Sequence, residues 1–133
     1  MNTSEEKPLL TDAEMAAEIV RFAHDKKAVD VVELDLRGLV DYTDRFVIAS
    51  GRSDRQVKAI HDGILVEMKK AHGLYPRKVE GLPEGRWVLI DFIDVVVHIF
   101  QPEAREMYRL EKLWGDGKRT DHPDAPESEP AFS

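Results

Sequence analysis

The sequence predicts an α/β (α+β) domain with a mixed sheet of about five strands and helices that lie mainly on one face. Three observations support this fold class. Two segments begin with helix N-cap signals and continue with apolar residues at helical spacing. Short segments rich in Val and Ile lie between them, which is typical of strands. The longest apolar segment, Arg86 to Phe100, has the strongest strand signal and organises the rest of the chain.

Two helices are predicted from the signals at their ends. Thr11 and Glu14 have the spacing of a capping box, which opens a helix over residues 12–27. Ser53 opens a second helix in the same way, and Gly73 ends that helix as a left-handed cap.

The remaining elements complete the order α-β-β-α-β-β-β-α. Strands are predicted over residues 31–36, 44–50, 76–80, 86–91 and 94–100. Pro102 suits the first turn of a third helix over residues 102–114. The apolar stripe of this helix is predicted to consist of Met107, Leu110 and Trp114.

The long apolar segment is predicted to fold back through a two-residue turn at 92–93. This register places Asp91 opposite Asp94. It also places Trp87 opposite His98. Because opposed residues share a face, one face of the hairpin is predicted to carry Trp87, Leu89, Asp91, Asp94, Val96 and His98. The other face is almost purely apolar and is assigned to the core, so the first face is predicted to be at least partly open.

This register also predicts an acidic sheet surface, formed by Asp91 and Asp94 together with Glu33 and Asp35. Four carboxylates could bind Mg²⁺, and the loop 51–53 at a helix start resembles a phosphate-binding loop. The alternative function is therefore a nucleotidyltransferase-like, Mg²⁺-dependent enzyme. Against it, the two hairpin carboxylates are three residues apart rather than two, and a plain N-cap role explains Ser53.

Trp87 and His98 have simpler interpretations. Large apolar side chains outside a core often mark interfaces, so Trp87 is predicted to be an interface residue rather than one covered by the third helix. For His98, a half-buried position against Trp87 is favoured over the role of base or metal ligand.

Composition limits the domain organisation and the compartment. The 133 residues are divided into a loose leader (1–10), one domain (11–114) and a disordered acidic tail (115–133). The chain has no Cys, no apolar run of membrane-spanning length and no targeting pattern, so a cytoplasmic protein is expected. The net charge of −7 argues against general nucleic-acid binding and favours a basic partner, or no charged partner at all.

Several motifs in order resemble one known family. They are Thr43-Asp44, FVIASG (46–51), Val79-Glu80-Gly81, WVLIDFIDVVVHIF (87–100) and YRLEKLW (108–114). Over roughly residues 12–114 the chain is similar to the RsfS/Iojap family, the ribosomal silencing factors. It departs from the family pattern at Arg45, where an aromatic is common, and at Ile93, where the hairpin turn usually has Gly.

The resemblance implies a non-enzymatic protein without cofactor or metal, whose fold is nucleotidyltransferase-like but lacks the catalytic motif. It implies binding to the fourteenth protein of the large ribosomal subunit, at the surface that meets the small subunit. Subunit joining would then be blocked and translation silenced when nutrients are short. A homodimer is expected for the free protein.

Carried over to this chain, the resemblance makes Trp87 the first choice for the docking contact. Asp91, Asp94 and His98 lie in matching motif positions, and the predicted hairpin assigns them to the same partner-binding face. No sequence-specific nucleic-acid contact and no membrane contact are expected. A third interpretation is a generic homodimerising α/β module whose Trp87 face pairs with itself.

Overall fold

The structure, a computed structural model, describes residues 10–124, so residues 1–9 of the predicted leader and residues 125–133 of the predicted tail lie outside it. The helices are α1 (Asp12–Asp25), α2 (Asp54–His72), α3 (Pro102–Tyr108) and α4 (Leu110–Leu113). The strands are β1 (Val29–Asp35), β2 (Arg45–Ser50), β3 (Lys78–Glu80), β4 (Trp87–Asp91), β5 (Val95–Phe100) and β6 (Lys118–His122).

Both long helices begin where their sequence signals predict, and α2 also ends there, whereas α1 ends at Asp25, two residues before its predicted end. Thr11 Oγ1 accepts the Glu14 N–H at 3.0 Å, and Glu14 Oε1 accepts the Thr11 N–H at 2.9 Å, which confirms the capping box of α1. Ser53 caps α2, and Gly73 ends it in the left-handed region with φ of 66°. Within residues 10–124, no helix has the length and apolarity needed to cross a bilayer.

The sheet is mixed, as predicted, but it has six strands in the order β3-β4-β5-β2-β1-β6. Strands β2 and β5 are parallel, and every other neighbouring pair is antiparallel. The sixth strand, Lys118–His122, lies in the segment predicted to be a disordered tail, so that prediction is wrong for these residues. The strand was missed because it contains no apolar residue; it is a charged edge strand paired only with β1.

Both faces of the sheet are covered by helices, although unequally. Helices α1 and α2 cover one face and bury the larger core. On the opposite face, Ala104 of α3 and Leu110 of α4 pack on a second apolar cluster. The other buried members of this cluster are Val32, Leu34, Leu36, Phe46, Ile48, Val96 and Phe100.

The predicted third helix is broken into two. Arg109 has φ of 50°, a left-handed conformation that ends α3 and begins α4. This break rotates the predicted apolar stripe. Leu110 is buried and Trp114 half-buried, but Met107 is exposed.

The hairpin of β4 and β5 turns one residue later than predicted. Phe92 pairs with Val95, its N–H donating to the Val95 carbonyl at 2.9 Å, so the two turn residues are Ile93 and Asp94. The cross-strand partners therefore shift by two positions, and Asp91 lies opposite Val96 rather than Asp94. A shift of two preserves the face of every strand residue. The two predicted faces are therefore right, while the predicted partners are wrong.

The turn itself explains the shift. Ile93 has φ of 78°, and the Asp94 N–H donates to the Phe92 carbonyl at 3.0 Å, which forms a tight three-residue turn. A β-branched residue in this conformation is strained. Asp91 Oδ1 supports the turn by accepting the Ile93 N–H at 2.8 Å. The strain also gives a physical reason for Gly at this position in the family that the sequence resembles.

The predicted acidic surface does not form. Glu33 and Asp35 point to the face that α1 covers, whereas Asp91 points to the opposite face. Arg45 lies among the carboxylates of the first face. Its Nε donates to Asp12 at 2.6 Å and its Nη1 to Glu33 at 2.8 Å. This arginine therefore ties the start of α1 to β1 and β2.

Replacing Arg45 with Met is expected to lower the free energy of unfolding by about 2 kcal/mol. The side chain is only 13% exposed, so its removal leaves poorly solvated carboxylates without a counter-charge. The matched control is Arg37→Met. Arg37 binds Asp35 but is 55% exposed, so a loss below about 1 kcal/mol is expected. Urea unfolding of both variants measures the difference, and equal losses would contradict a structural role for Arg45.

Candidate functional site

The open part of the second sheet face carries an aromatic patch, formed by Trp87, Leu89 and Tyr108. Trp87 and Leu89 are half-buried, and Tyr108 is 46% exposed. The Trp87 ring lies 4.5 Å from the Tyr108 ring and 5.0 Å from the Phe100 ring, measured between centroids. The patch is thus an exposed extension of the second core, since Phe100 is fully buried beneath it.

His98 holds Trp87 in place from below. Trp87 Nε1 donates to His98 Nδ1 at 3.1 Å, although the two residues lie on a diagonal rather than directly opposite. The imidazole is buried, and burial lowers the pKa of His98 to about 3. It is therefore neutral at ordinary pH and carries its proton on Nε2, which leaves Nδ1 free to accept.

The predicted carboxylates are not neighbours of Trp87. Asp91 lies at the other end of β4, about 13 Å along the strand. It is buried, and its Oδ2 accepts a hydrogen bond from Arg77 at 2.7 Å. Asp94 is exposed at the hairpin turn, and its carbonyl accepts the backbone N–H groups of Asp44 and Arg45. The structure therefore brings together Trp87 and His98, while the two aspartates belong to the hairpin end.

The charges on the β3 side of the patch are paired with one another. Lys78 and Glu80 of β3 share the face of Leu89, and their side chains lie 3.4 Å apart. This side of the patch is therefore balanced in charge rather than acidic.

Sequence reasoning placed Leu89 on the predicted open face but named neither Leu89 nor Tyr108 as a site residue. Tyr108 is the last residue of α3, and its ring packs on the Trp87 ring. The alternation of Leu89 with Trp87 is the signal that could have identified Leu89 as a site residue.

A separate groove with a volume of about 680 Å³ lies between β1, β6 and α3, and none of the predicted site residues lines it. Arg105, which lines this groove, is already engaged. Arg105 Nη1 donates to Ser50 Oγ at 2.8 Å, and Nη2 donates to Glu111 Oε2 at 2.6 Å. These bonds link α3 to α4 and to the end of β2.

Comparison with known proteins gives a consistent result. The family described as "Ribosomal silencing factor during starvation" matches residues 10–133. A relative from Zymomonas mobilis, named ribosomal silencing factor RsfS, is 42% identical over 113 residues and 84% of each chain is covered. A mouse protein named "Mitochondrial assembly of ribosomal large subunit protein 1" is 35% identical over 98 residues, which are 72% of this chain and 43% of the mouse protein.

The fold has a close counterpart among solved structures. A crystal structure of a protein from Chromobacterium violaceum superposes with a TM-score of 0.77 at 35% identity, covering 93% of this chain and all of that chain. The relatives carry regulatory rather than enzymatic names. With a family match over most of its length, this chain belongs to the RsfS/Iojap family of ribosomal silencing factors.

Proposed function

We propose that this protein docks on the large ribosomal subunit in the cytoplasm, contacts its fourteenth protein and blocks joining of the small subunit, which represses translation. The observation that carries the docking site is the aromatic patch, where a half-buried Trp ring is held in one orientation by its neighbours. Family membership supports the ribosomal role, and the name of the mouse relative refers to the large subunit.

The patch has the physical properties of a binding hot spot. Trp87 is fixed by the hydrogen bond to His98, by stacking on Phe100 and by a tilted ring contact with Tyr108. Little side-chain entropy is therefore lost when a partner covers it. Trp and Tyr are also the residue types that most often dominate interface energies.

The four predicted partner-binding residues then have different roles. Trp87 makes the contact, together with Tyr108 and Leu89. His98 is a positioning residue, because it is buried and reaches the surface only through the Trp87 indole. Asp91 maintains the hairpin through Arg77 and the turn, and Asp94 lies at the margin of the footprint.

Repression is steric in this proposal. A domain bound on the surface where the subunits meet occupies space that the small subunit needs. No catalytic step is required, and the set of four carboxylates needed for the Mg²⁺-dependent alternative is divided between opposite faces of the sheet. The free protein is proposed to be a homodimer.

Replacing Trp87 with Glu is expected to weaken binding to isolated large subunits by about 30-fold, the loss typical of a hot-spot residue. The partly exposed ring allows the charge to reach water in the free protein, so folding is expected to survive. Co-sedimentation with large subunits measures binding, and light scattering during mixing of the two subunits measures joining.

The matched control is Val66→Glu, since Val66 is an exposed apolar residue of α2 on the opposite side of the sheet. It should bind and block joining like the wild type. Equal binding by the Trp87 and Val66 variants would show that the docking face is elsewhere. If neither variant nor wild type binds, the ribosomal proposal itself fails. Sedimentation velocity of the same proteins tests the homodimer.

A further inference from the structure

Six cations collect at one end of this acidic protein. They lie on three chain segments: the end of α1 (residues 25–27), the start of α2 (52–58) and the loop before β4 (83–86). This basic end consists of Lys26, Lys27, Arg52, Arg55, Lys58 and Arg86. The same segments contain only three carboxylates, in a chain whose net charge is −7.

The fold holds the three segments together around the first turns of α2. Gln56 Nε2 donates to the Lys27 carbonyl at 3.0 Å, which fixes the end of α1 beside α2. On the other side, Lys58 Nζ donates to the Pro83 carbonyl at 3.3 Å. Gly85 packs so closely that a Cβ there would lie 2.9 Å from the Cβ of Asp54. The basic end is therefore a built feature of the fold rather than a run along the sequence.

The charges of the basic end are not neutralised within the described part of the chain. Among residues 10–124, none of the six cations lies within 4.0 Å of a carboxylate, whereas eight other Lys and Arg side chains do. Unpaired cations concentrated on one surface attract polyanions.

The basic end adjoins the aromatic patch. Arg86 immediately precedes Trp87, and the Arg86 carbonyl accepts the Gln101 N–H at 2.9 Å. The Gly51 N–H donates to the Phe100 carbonyl, so the loop carrying Arg52 leaves the sheet at the same end where Trp87 stacks on Phe100. A partner surface that covers Trp87 can therefore continue around the end of the sheet onto these cations.

We propose that the basic end contacts the phosphate backbone of ribosomal RNA next to the protein that receives the aromatic patch. This inference rests on the proposed function, since docking on the large subunit is what brings RNA to this end. Ribosomal proteins are usually basic, so RNA is the polyanion available there. The contact is to phosphates and carries no sequence specificity. The net charge of −7 gives no sign of this site, because the site depends on a local cluster of cations within an acidic protein.

The test uses charge reversal at two ends of one helix. Arg52→Glu combined with Arg55→Glu removes two cations at the start of α2, where acidic residues suit the helix dipole and should leave the fold intact. The control is Lys69→Glu with Lys70→Glu, the same charge change about 20 Å away at the other end of α2. Binding is measured at several salt concentrations, first to large subunits and then to a short RNA duplex of arbitrary sequence.

The Arg52 and Arg55 double variant is expected to bind large subunits roughly tenfold more weakly at low salt. Its plot of log affinity against log salt should be shallower by about 1 for each phosphate that the variant no longer binds. At low salt the double variant should also bind the duplex more weakly than the wild type does. The control should resemble the wild type in both measurements.

The remaining outcomes separate the two proposals. Wild-type-like binding by the Arg52 and Arg55 variant in both measurements would overturn the RNA contact. Weaker binding to subunits with unchanged binding to the duplex would assign the basic end to a protein surface and also overturn it. If the wild type binds the duplex through these arginines but does not bind large subunits, the basic end is a phosphate-binding surface, but ribosome docking fails and with it the contact to ribosomal RNA.

Discussion

Replacement of Gly81 with Ala is expected to destabilise the protein by about 4 kcal/mol or more. Gly81 has φ of 90°, and a Cβ there would lie 2.0 Å from the carbonyl oxygen of Trp87. The other close atoms are also backbone, including the Cα of Val88 at 3.3 Å. No side-chain rotation can relieve this overlap, so the loop or the start of β4 has to move.

Gly38→Ala is a closely matched control. Gly38 has φ of 88°, nearly the same as Gly81, but a Cβ at this position would meet no atom within 4 Å. The Gly38→Ala substitution should lower the free energy of unfolding only by the backbone penalty for a side chain at positive φ, about 1–2 kcal/mol. Urea unfolding of the two variants therefore separates backbone conformation from close approach. Equal losses would contradict the close packing of Gly81 on Trp87.

The same substitution should affect docking through Trp87. The displaced atoms belong to the Trp87 main chain, and the aromatic patch depends on the position of that residue over Phe100. Folded Gly81→Ala protein, if it accumulates, should bind large subunits more weakly than Gly38→Ala protein. Accumulation of folded Gly38→Ala but not of Gly81→Ala would lead to the same conclusion about stability.

Much of the fold could be predicted because the local signals agreed with the packing. The capping box at Thr11, the left-handed cap at Gly73 and the alternation of apolar residues in the hairpin each have a local physical cause. Such signals do not depend on the rest of the chain. They identified α1, α2 and the two faces of the hairpin correctly.

The incorrect predictions concern the hairpin turn and strand β6, whose structures are determined by contacts that the sequence pattern does not reveal. Ile93 is a poor residue for positive φ, and only the side chain of Asp91, bonding back to the Ile93 N–H, makes that turn acceptable. Strand β6 has no apolar residue and forms because β1 offers it a free edge. The turn depends on an unusual local hydrogen bond, and β6 depends on a strand that is distant in sequence; local propensity contains neither.

The site was predicted only in part, because the local pattern identified Trp87 but not the contacts around it. Alternation identified Trp87 as the exposed aromatic of its face, and the structure shows it half-buried in a patch. The roles of Asp91 and Asp94 depended on a register that was off by one turn residue. The contact of Tyr108 with Trp87 depends on how α3 packs on the sheet, which the sequence pattern does not specify.

The net charge of the chain is a poor guide to the charges that a partner would contact. The net charge of −7 suggested a protein that avoids nucleic acid. In the fold, many carboxylates are paired with arginines, as Asp12 and Glu33 are with Arg45. The cations of the basic end have no such partners in the described part of the chain. Pairing, which depends on three-dimensional arrangement, therefore decides which charges a partner meets.

The stability of the protein is expected to fall steeply in mild acid because of His98. Burial holds the pKa of His98 at about 3 in the folded protein, against an ordinary value of 6.5. Below pH 6.5 the unfolded chain therefore binds a proton that the folded protein does not accept until about pH 3. Stability from this group is fully present above about pH 6.5 and is lost at about 1.4 kcal/mol per pH unit as the pH falls, roughly 3 kcal/mol between about pH 7 and pH 4.

His98→Gln is the informative variant, because a Gln side-chain oxygen can still accept the Trp87 indole N–H but does not titrate in this range. Urea unfolding at intervals from about pH 7 to pH 4 measures both proteins, and carboxylate titrations contribute equally to each. The variant should lose stability in acid more gradually than the wild type, so the two curves should converge as the pH falls. Parallel curves would mean that His98 can take up its proton within the folded state. In that case the imidazole could not be the neutral acceptor that holds Trp87 in its docking orientation across this pH range.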